Sequence, residues 1–294
     1  MKVLLFPDIH GRKFWSDSIS SLSDESLPKF DKIVFLGDYL DPYYGETDPF
    51  NVEDDINETI ADEPVEELIR NLKNIIDFKK KYPDKVVLLL GNHDMHYKSA
   101  YFRRVAYSSR FNPDANAIIK KEDMFSKTNG FQTAWQSPVI DGHSLLCTHA
   151  GINEGWWKAY TEDICPYTQG NPYKDIAEFL NAQPLDFPAG TKAEMYSLFA
   201  IGSLRGGNSW NGGPFWSDCR EMMDIYDFED SKKELNPFKD IFQIFGHTQL
   251  KKVPVYMDTF ACIDCRRPFV FDVGQNKLYE SDGCTEVEKT FKKK

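Results

Sequence analysis

The chain begins with a short apolar run that ends on polar residues, since residues 2–11 read KVLLFPDIHG. The five residues 2–6 have the length and composition of a buried strand. Asp8 and His10 follow where that strand ends. Four further apolar runs end in the same way, at residues 32–37, 86–91, 144–149 and 241–247. The sequence therefore predicts five buried strands, each followed directly by polar residues.

The segment between the second and third strands has the spacing of an amphipathic helix. It begins at Pro64, ends before Pro83, and places apolar residues three and four positions apart: Val65, Leu68, Ile69, Leu72, Ile75, Ile76 and Phe78. A proline at the first turn and another beyond the last turn suit the two helix ends. A helix between two strands is the crossover that parallel strands need. The predicted fold class is therefore α/β.

Composition favours a globular chain with a large core. Of 294 residues, 41% are hydrophobic and 28% charged, and no apolar run approaches the ~20 residues of a membrane span. We expect no membrane partner. A cytoplasmic location fits the absence of a signal-peptide pattern and six scattered cysteines, which favour reduced thiols. The net charge of -11 repels polyanions, so nucleic acid is not expected as a partner.

We predict a single domain over residues 1–294 with two insertions. Residues 42–63 contain eight acidic residues and no lysine or arginine, which indicates an acidic loop. Residues 152–235 combine four tryptophans with two Gly-Gly pairs and form a longer insertion over one sheet edge. Cys262 and Cys265 make one CxxC in a predicted strand over residues 255–265. No second CxxC completes a zinc site, so core packing is favoured for both.

Side chains that bind metal ions gather at the predicted strand ends. The carboxyl ends of strands in an α/β sheet meet at one edge, and carboxylate, imidazole and amide groups together suit Mn, Fe or Zn. Asp and Asn are also common in turns that bind no ligand. Four of the six histidines occupy these strand ends, however, which favours metal binding. The candidate ligands are Asp8, His10, Asp38, Asn92, His149 and His247.

Five motifs, in order along the chain, resemble those of the calcineurin-like metallophosphoesterases. They are Asp8-Ile9-His10-Gly11, Gly37-Asp38-Tyr39-Leu40-Asp41, Gly91-Asn92-His93-Asp94, Thr148-His149-Ala150-Gly151 and Gly246-His247-Thr248. The runs at 149–152 and 216–218 look most like the bacterial-type phosphoprotein phosphatases, a branch that includes dinucleoside tetraphosphate hydrolases. The resemblance implies a β-sandwich flanked by helices, with a dinuclear metal site at the C-terminal strand ends.

The resemblance also implies a role for each candidate. His93 would be the general acid that protonates the departing alkoxide, and Asp41 would orient it. A hydroxide bridging two ions ~3.5–4 Å apart would attack the phosphorus, while both ions neutralise the phosphoryl oxygens. The metal roles are Asp8 and His10 for the first ion, Asp38 as the bridge, and Asn92, His149 and His247 for the second.

Two positions depart from the family pattern. Gln249 stands where many relatives have a second histidine, so the first ion loses an imidazole or takes an amide oxygen instead. Pro42 stands where phosphoprotein phosphatases carry an arginine that grips the phosphate. Arg205 is the preferred replacement, because neighbouring glycines let a bidentate donor approach, although a surface arginine in a turn fits about as well. The other nearby arginines are expected on a solvated face: Arg103, Arg104 and Arg110.

Three functions are compatible with this pattern. The first is a metal-dependent phosphatase of phosphomonoesters, whose substrate is a phosphorylated small molecule or a phosphoprotein with phospho-Ser/Thr. The second is a hydrolase of dinucleoside polyphosphates or other phosphodiesters. The third is a non-catalytic binding module, disfavoured because no ligand is lost. His96 and His143 lie outside the motifs and are expected to be structural or solvated. Aromatic residues near the motifs are expected to pack rather than to stack on a ligand.

Overall fold

The computed structural model describes residues 1–21, 29–43, 64–99, 102–103, 106, 108–185, 197–224 and 233–290. The strands are β1 (Lys2–Phe6), β2 (Lys32–Phe35), β3 (Val86–Leu89), β4 (Phe131–Gln132), β5 (Ala134–Gln136), β6 (Ser144–Thr148), β7 (Ile241–Phe245), β8 (Val255–Tyr256), β9 (Phe260–Cys262), β10 (Phe269–Asp272) and β11 (Lys277–Glu280). The helices are α1 (Phe14–Ser21), α2 (Val65–Lys81), α3 (Asn92–Lys98), α4 (Pro113–Glu122), α5 (Glu154–Ala159) and α6 (Ile176–Ala182).

The strands form two sheets. The first sheet has the order β11-β10-β1-β2-β3-β4, and the second has the order β5-β6-β7-β9-β8. Strands β1 to β4 run parallel in the first sheet, and β6, β7 and β9 run parallel in the second. All five strands predicted from apolar runs are present. Four of them end one or two residues earlier than predicted, because the chain turns at the polar residues that follow.

Alternating residues of each strand point to opposite faces of a sheet. Val3 and Leu5 of β1 face the second sheet, where they share a buried cluster with Phe242 and Ile244 of β7. Phe271 of β10 stacks on Phe242 with the ring centroids 4.8 Å apart. The two sheets therefore pack face to face, which confirms the β-sandwich that the family resemblance implied.

Helices cover the other face of the first sheet. Leu4 and Phe6 of β1 point into a cluster that contains Leu68 and Leu72 of α2. Helix α2 follows its N-cap Pro64 and ends before Pro83, as predicted. It connects β2 to β3, which pair in parallel. The predicted crossover and the α/β fold class are therefore confirmed.

The insertions are described in part. Of the acidic loop at 42–63, residues 44–63 lie outside the described residues. The described parts of 152–235 cover the outer face of the second sheet, because Trp156 of α5 and Phe179 of α6 share a cluster with Leu146 of β6. The division into one domain with two insertions stays a prediction. Among the helices that the structure describes, none combines the length and the apolar character of a membrane span.

The predicted strand over residues 255–265 is instead a hairpin. Strands β8 and β9 pair antiparallel, and the Met257 N–H donates to the Phe260 carbonyl oxygen at 2.9 Å to close the turn. The polar pair between them interrupts the apolar run, which is a turn signal. Cys262 and Cys265 are both buried among apolar side chains. Core packing of the CxxC is confirmed, and the six cysteines are free thiols.

Candidate metal centre

The predicted ligands converge where strands of both sheets end. The ends of β1, β2 and β3 supply the ligands of the first sheet, and the ends of β6 and β7 supply those of the second. Because the sheets pack face to face and these strands are parallel within each sheet, their carboxyl ends reach one place. Each side chain is at most 8% exposed: Asp8, His10, Asp38, Asn92, His149 and His247.

Asn92, His149 and His247 form one tight group. Asn92 Oδ1 lies 2.8 Å from His149 Nε2 and 2.9 Å from His247 Nδ1, and those two nitrogens are 3.2 Å apart. His149 Nδ1 donates to the Leu36 carbonyl oxygen at 2.8 Å, which leaves the Nε2 lone pair facing the group. Ligand bonds of ~2.0–2.2 Å place neighbouring ligands at about this separation around one ion.

Asp38 lies between this group and the remaining ligands. Its Oδ2 is 3.5 Å from His149 Nε2 and 3.5 Å from His10 Nε2. His10 Nε2 is 4.0 Å from Asp8 Oδ2, and its Nδ1 is 3.0 Å from the Leu40 carbonyl oxygen. Asp38 Oδ2 is therefore equidistant from two histidines of different groups, which is compatible with the bridging role predicted from the resemblance.

The protonation of these side chains suits metal ions. Burial lowers the pKa of His10, of His149 and of His247, so the rings stay neutral. Burial raises the pKa of Asp8 to about 6, and the hydrogen bond from the His247 backbone N–H acts in the opposite direction. His247 Nε2 is buried and has no hydrogen-bond partner among the described residues. Neutral imidazoles beside carboxylates form a donor set for Mn, Fe or Zn, so these residues fit the ions that the sequence implied.

Two glycines let the backbone pass close to the carboxylates. A Cβ on Gly91 would lie 2.1 Å from Asp38 Oδ1, and a Cβ on Gly246 would lie 2.0 Å from Asp8 Oδ1. Both distances are far below van der Waals contact, so glycine alone fits at these positions. The His247 N–H also donates to both carboxylate oxygens of Asp8 at 3.1 Å, which fixes that side chain.

Asp94 ties the loops of the centre together. Its buried carboxylate accepts hydrogen bonds from the backbone N–H groups of Gly91, Asp38 and Tyr39 at 2.7, 2.8 and 2.9 Å. The end of β2 is thereby joined to the start of α3. The sequence motif contained Asp94 but suggested no role for it. An acidic residue three positions after the helix-capping glycine was the available signal.

His93 and Asp41 form a pair beside the ligands. His93 Nδ1 is 2.7 Å from Asp41 Oδ2, and the Tyr97 hydroxyl donates to the other carboxylate oxygen. Burial acts to raise the pKa of Asp41, but hydrogen bonds from His93 and Tyr97 oppose it, and the pKa is lowered. Arg110 Nη2 lies 3.0 Å from His93 Nε2. A guanidinium can only donate, so Nε2 accepts and Nδ1 carries the ring proton.

Arg110 is not on a solvated face, and the expectation from the sequence was wrong. It lines an open cavity above the candidate ligands, and its Nη1 donates to the Asp41 carbonyl oxygen at 2.7 Å. Its guanidinium also lies 3.6 Å from the ring centroid of Tyr43, which lines the cavity too. The contacts of Arg110 with Tyr43 and Asp41 cross 67 and 69 positions of chain, so local sequence carried no sign of them.

The other two arginines, the two histidines outside the motifs and the nearby aromatic residues also differ in part from what the sequence predicted. Arg103 is half-buried and donates to the His96 carbonyl oxygen at 3.1 Å, so it is not solvated either. Arg104 lies outside the described residues. His96 is buried and lines the cavity, whereas His143 is half-buried in a turn. Most described aromatic residues near the motifs pack in the core, and Tyr43 is an exception.

Arg205 reaches the same cavity from the side of the second sheet. Its Nη2 donates to the His247 carbonyl oxygen at 3.1 Å and to Thr248 Oγ1 at 3.0 Å, and its Nε is 3.0 Å from Asp218 Oδ2. Burial acts to raise the pKa of Asp218, but hydrogen bonds from Arg220 and the charge of Arg205 lower it. The Trp-Ser-Asp segment thus positions Arg205, which the sequence alone did not reveal.

A family model of calcineurin-like phosphoesterases matches residues 1–251 of this chain. The chain belongs to the calcineurin-like phosphoesterase family. It is therefore an enzyme that hydrolyses phosphoric esters with the help of metal ions. The matched residues include all the candidate ligands, from Asp8 to His247.

Solved structures similar to this calcineurin-like phosphoesterase include two phosphatases. A cold-active protein-tyrosine phosphatase of the psychrophile Shewanella sp. is 14% identical, with a TM-score of 0.55 over 98% of this chain and 80% of that chain. A protein serine/threonine phosphatase from Saccharomyces cerevisiae, with similarity to human phosphatase PP5, is 15% identical, with a TM-score of 0.43 over 95% of this chain and 80% of that chain. The first likeness supports the fold alone. A comparison with curated proteins gave no match.

Proposed function

We propose that this phosphoesterase is a phosphatase of phosphomonoesters that uses two metal ions held by the converged side chains. The observation that carries the proposal is the position of Asp38 Oδ2, 3.5 Å from the ring nitrogens of both His10 and His149. Gln249 lines the cavity and offers an amide oxygen to the first ion. The proposed ligands are Asp8 and His10 for the first ion, Asp38 for both, and Asn92, His149 and His247 for the second. Mn, Fe and Zn suit this set.

Two such ions, when bound, activate a water molecule and neutralise the phosphoryl oxygens. The protein then supplies the proton and holds the phosphate. His93 is the proposed general acid toward the departing alkoxide. Asp41 keeps the ring oriented through its 2.7 Å hydrogen bond with Nδ1.

Arg110 couples phosphate binding to this proton transfer. Its Nη2 is bonded to His93 Nε2, the atom that must carry the proton. A phosphate oxygen is a stronger acceptor than a neutral ring nitrogen, so substrate draws the guanidinium away and leaves Nε2 free to be protonated. Arg205, held by Asp218, is the second proposed phosphate donor, at the His247 side of the cavity. In this proposal, two arginines replace the one that phosphoprotein phosphatases carry at the position of Pro42.

The proposed substrates are phosphorylated small molecules and phosphoproteins. A proton donor suits the alkoxide that leaves phosphoserine or phosphothreonine, since alkoxides depart poorly without a proton. Dinucleoside polyphosphates and other phosphodiesters are the alternative. Arg110 lies over the Tyr43 ring at 3.6 Å, so a nucleobase would have to displace the guanidinium before it could stack on that face. The cavity therefore favours the phosphomonoester.

The central experiment measures hydrolysis of an aryl phosphate by the purified protein loaded with Mn. Asp38→Asn removes the proposed bridge and should lower turnover on the order of 10³-fold. The matched control is Asp77→Asn, which alters an exposed aspartate of α2 and should keep the wild-type rate. A wild-type rate in Asp38→Asn would show that the assignment of the bridge is wrong.

A substrate panel separates the two candidate activities. The Mn-loaded protein is compared on a phosphopeptide, a mononucleotide, a phosphodiester and a diadenosine polyphosphate by kcat/KM. The proposal expects the monoesters to be preferred. Preference for the diadenosine compound would select the alternative instead.

A further inference from the structure

Helix α3 carries a second histidine, His96, three positions after His93. Residues three apart lie on the same side of a helix, and the two rings meet edge to face with centroids 5.5 Å apart. His96 is 2% exposed, yet neither of its ring nitrogens makes a hydrogen bond of good geometry with the described residues, although the backbone of Ala106 lies close enough to act on its pKa. A buried polar group without a partner is costly and is rarely left so. This histidine therefore points to a ligand.

Asp41 completes a cluster with these two histidines. Each of the three side chains offers one ligand atom, and these atoms lie within 4.8 Å of one another. Two imidazoles and one carboxylate are the ligands of many zinc sites that leave a fourth position for water. His93 and His96 line the cavity, so an ion can reach the cluster from solvent.

The chemistry of His96 agrees with this geometry. Burial lowers the pKa of His96 to about 4, with the charge of His93 adding to the effect. The charge of Asp41 and the backbone of Ala106 act to raise this pKa, but burial outweighs them. The ring is neutral at pH 7, which is the form that binds a metal ion.

We propose that Asp41, His93 and His96 form a third cation site, suited to zinc, beside the two-metal centre, and that zinc bound there inhibits the enzyme. The ion would take the place of the proton between His93 Nδ1 and Asp41 Oδ2, and that proton would move to Nε2, from which Arg110 must withdraw. The ring would then be a neutral donor at Nε2, which is too weak an acid to protonate the departing alkoxide. The positive charge of Arg110, 3.0 Å from His93 Nε2, weakens the site. Zinc therefore binds reversibly, as a regulator. The inhibition rests on the proposed function, whereas the binding does not.

Zinc stoichiometry tests the site without any activity measurement. The full-length protein is dialysed to equilibrium against buffered Zn²⁺, and bound zinc per chain is measured by elemental analysis. His96→Ala should bind one ion fewer than wild type. The matched control His143→Ala, in a turn outside the cavity, should bind as many as wild type. Equal zinc content in wild type and His96→Ala would overturn the proposal.

A second variant guards against a folding defect. His96→Phe keeps an aromatic ring but offers no ligand atom, and it should lose the same single ion while retaining a cooperative thermal transition. If both variants unfold, calorimetry of zinc binding to the Mn-loaded wild-type protein decides whether the third site exists. A binding event beyond the two-metal centre, abolished by Asp41→Asn, supports the site, and its absence overturns the site.

Inhibition is measured on the Mn-loaded enzyme with an aryl phosphate. Each variant is compared with its own rate without zinc, and His96→Ala should raise the half-inhibitory zinc concentration at least 10-fold over wild type and His143→Ala. An unchanged value would overturn the inhibitory role. A protein that binds the extra zinc but hydrolyses no phosphomonoester would keep the site and refute the proposed function. A protein that hydrolyses a phosphomonoester but binds no extra zinc would keep the proposed function and refute the third site.

Discussion

Two arginines share one carboxylate beside the candidate centre. Asp218 pairs with Arg205 Nε at 3.0 Å and with Arg220 Nε at 2.8 Å. Arg205 is 26% exposed and lines the cavity, whereas Arg220 is 55% exposed and does not. The two residues have the same charge and the same partner but different access to substrate. Arg220 is exposed, and an exposed ion pair contributes little to stability, so Arg220→Ala controls for the loss of a positive charge beside Asp218.

Arg205→Ala should therefore lower kcat/KM for an aryl phosphate by roughly 100-fold, because a charge-assisted donor to the phosphate is lost. Arg220→Ala should change kcat/KM by no more than about 2-fold. Steady-state kinetics of the two Mn-loaded variants make the comparison. Equal losses in both would mean that Asp218 and its partners act through the fold rather than through the substrate.

The loops between strands and helices are strained where they carry the ligands. His10, Asp38, Asp41 and His247 all have positive φ angles, between 44° and 63°. Side chains with a Cβ adopt this region at a cost, which persists where the surroundings enforce it. Asp94 supplies part of that enforcement through its three backbone hydrogen bonds. The loops therefore hold the candidate ligands in place without any ion.

Gly246→Ala tests how tightly the loop after β7 fits. The new Cβ would lie 2.0 Å from Asp8 Oδ1, so Asp8 must move, and affinity for the first ion should fall at least about 10-fold. Gly274→Ala is the control, in the turn between β10 and β11, where the nearest atom is 3.1 Å away. Metal titration followed by elemental analysis measures the difference. The same metal affinity in both variants would contradict the close approach.

At the scale of the whole molecule, the candidate ions join the two sheets. Asp8, Asp38 and Asn92 belong to strand ends of the first sheet, and His149 and His247 belong to those of the second. Without ions, buried carboxylates with raised pKa values crowd together, as at Asp8 and Asp38. Cations that bind the folded state alone must stabilise it.

Removal of metal by a chelator should therefore lower the melting temperature by at least about 5 °C, because an ion at 1,000 times its Kd contributes about 4 kcal/mol. Thermal unfolding followed by circular dichroism, with and without Mn, measures the shift. The Asp38→Asn variant should lose most of this shift in melting temperature. A melting temperature indifferent to the chelator would show that the ions do not bridge the sheets.

The sequence by itself determined the strands, the α2 crossover and the six candidate ligands, because each depends on local pattern. An apolar run followed at once by Asp8, or by His149, is visible within ten residues. The prediction of one strand over 255–265 was wrong, because local pattern does not show how strands pair. The pairing of β9 with β7 and β8 decides where the turn falls.

Only the tertiary structure decided that Arg110, Arg205 and His96 line the cavity. Arg110 meets Asp41 across 69 positions, and Arg205 meets His247 across 42. His96 had the right spacing from His93, but its buried and unpartnered ring follows from the packing around α3. Contacts between distant segments depend on the packing of both sheets, and no single stretch of sequence specifies them.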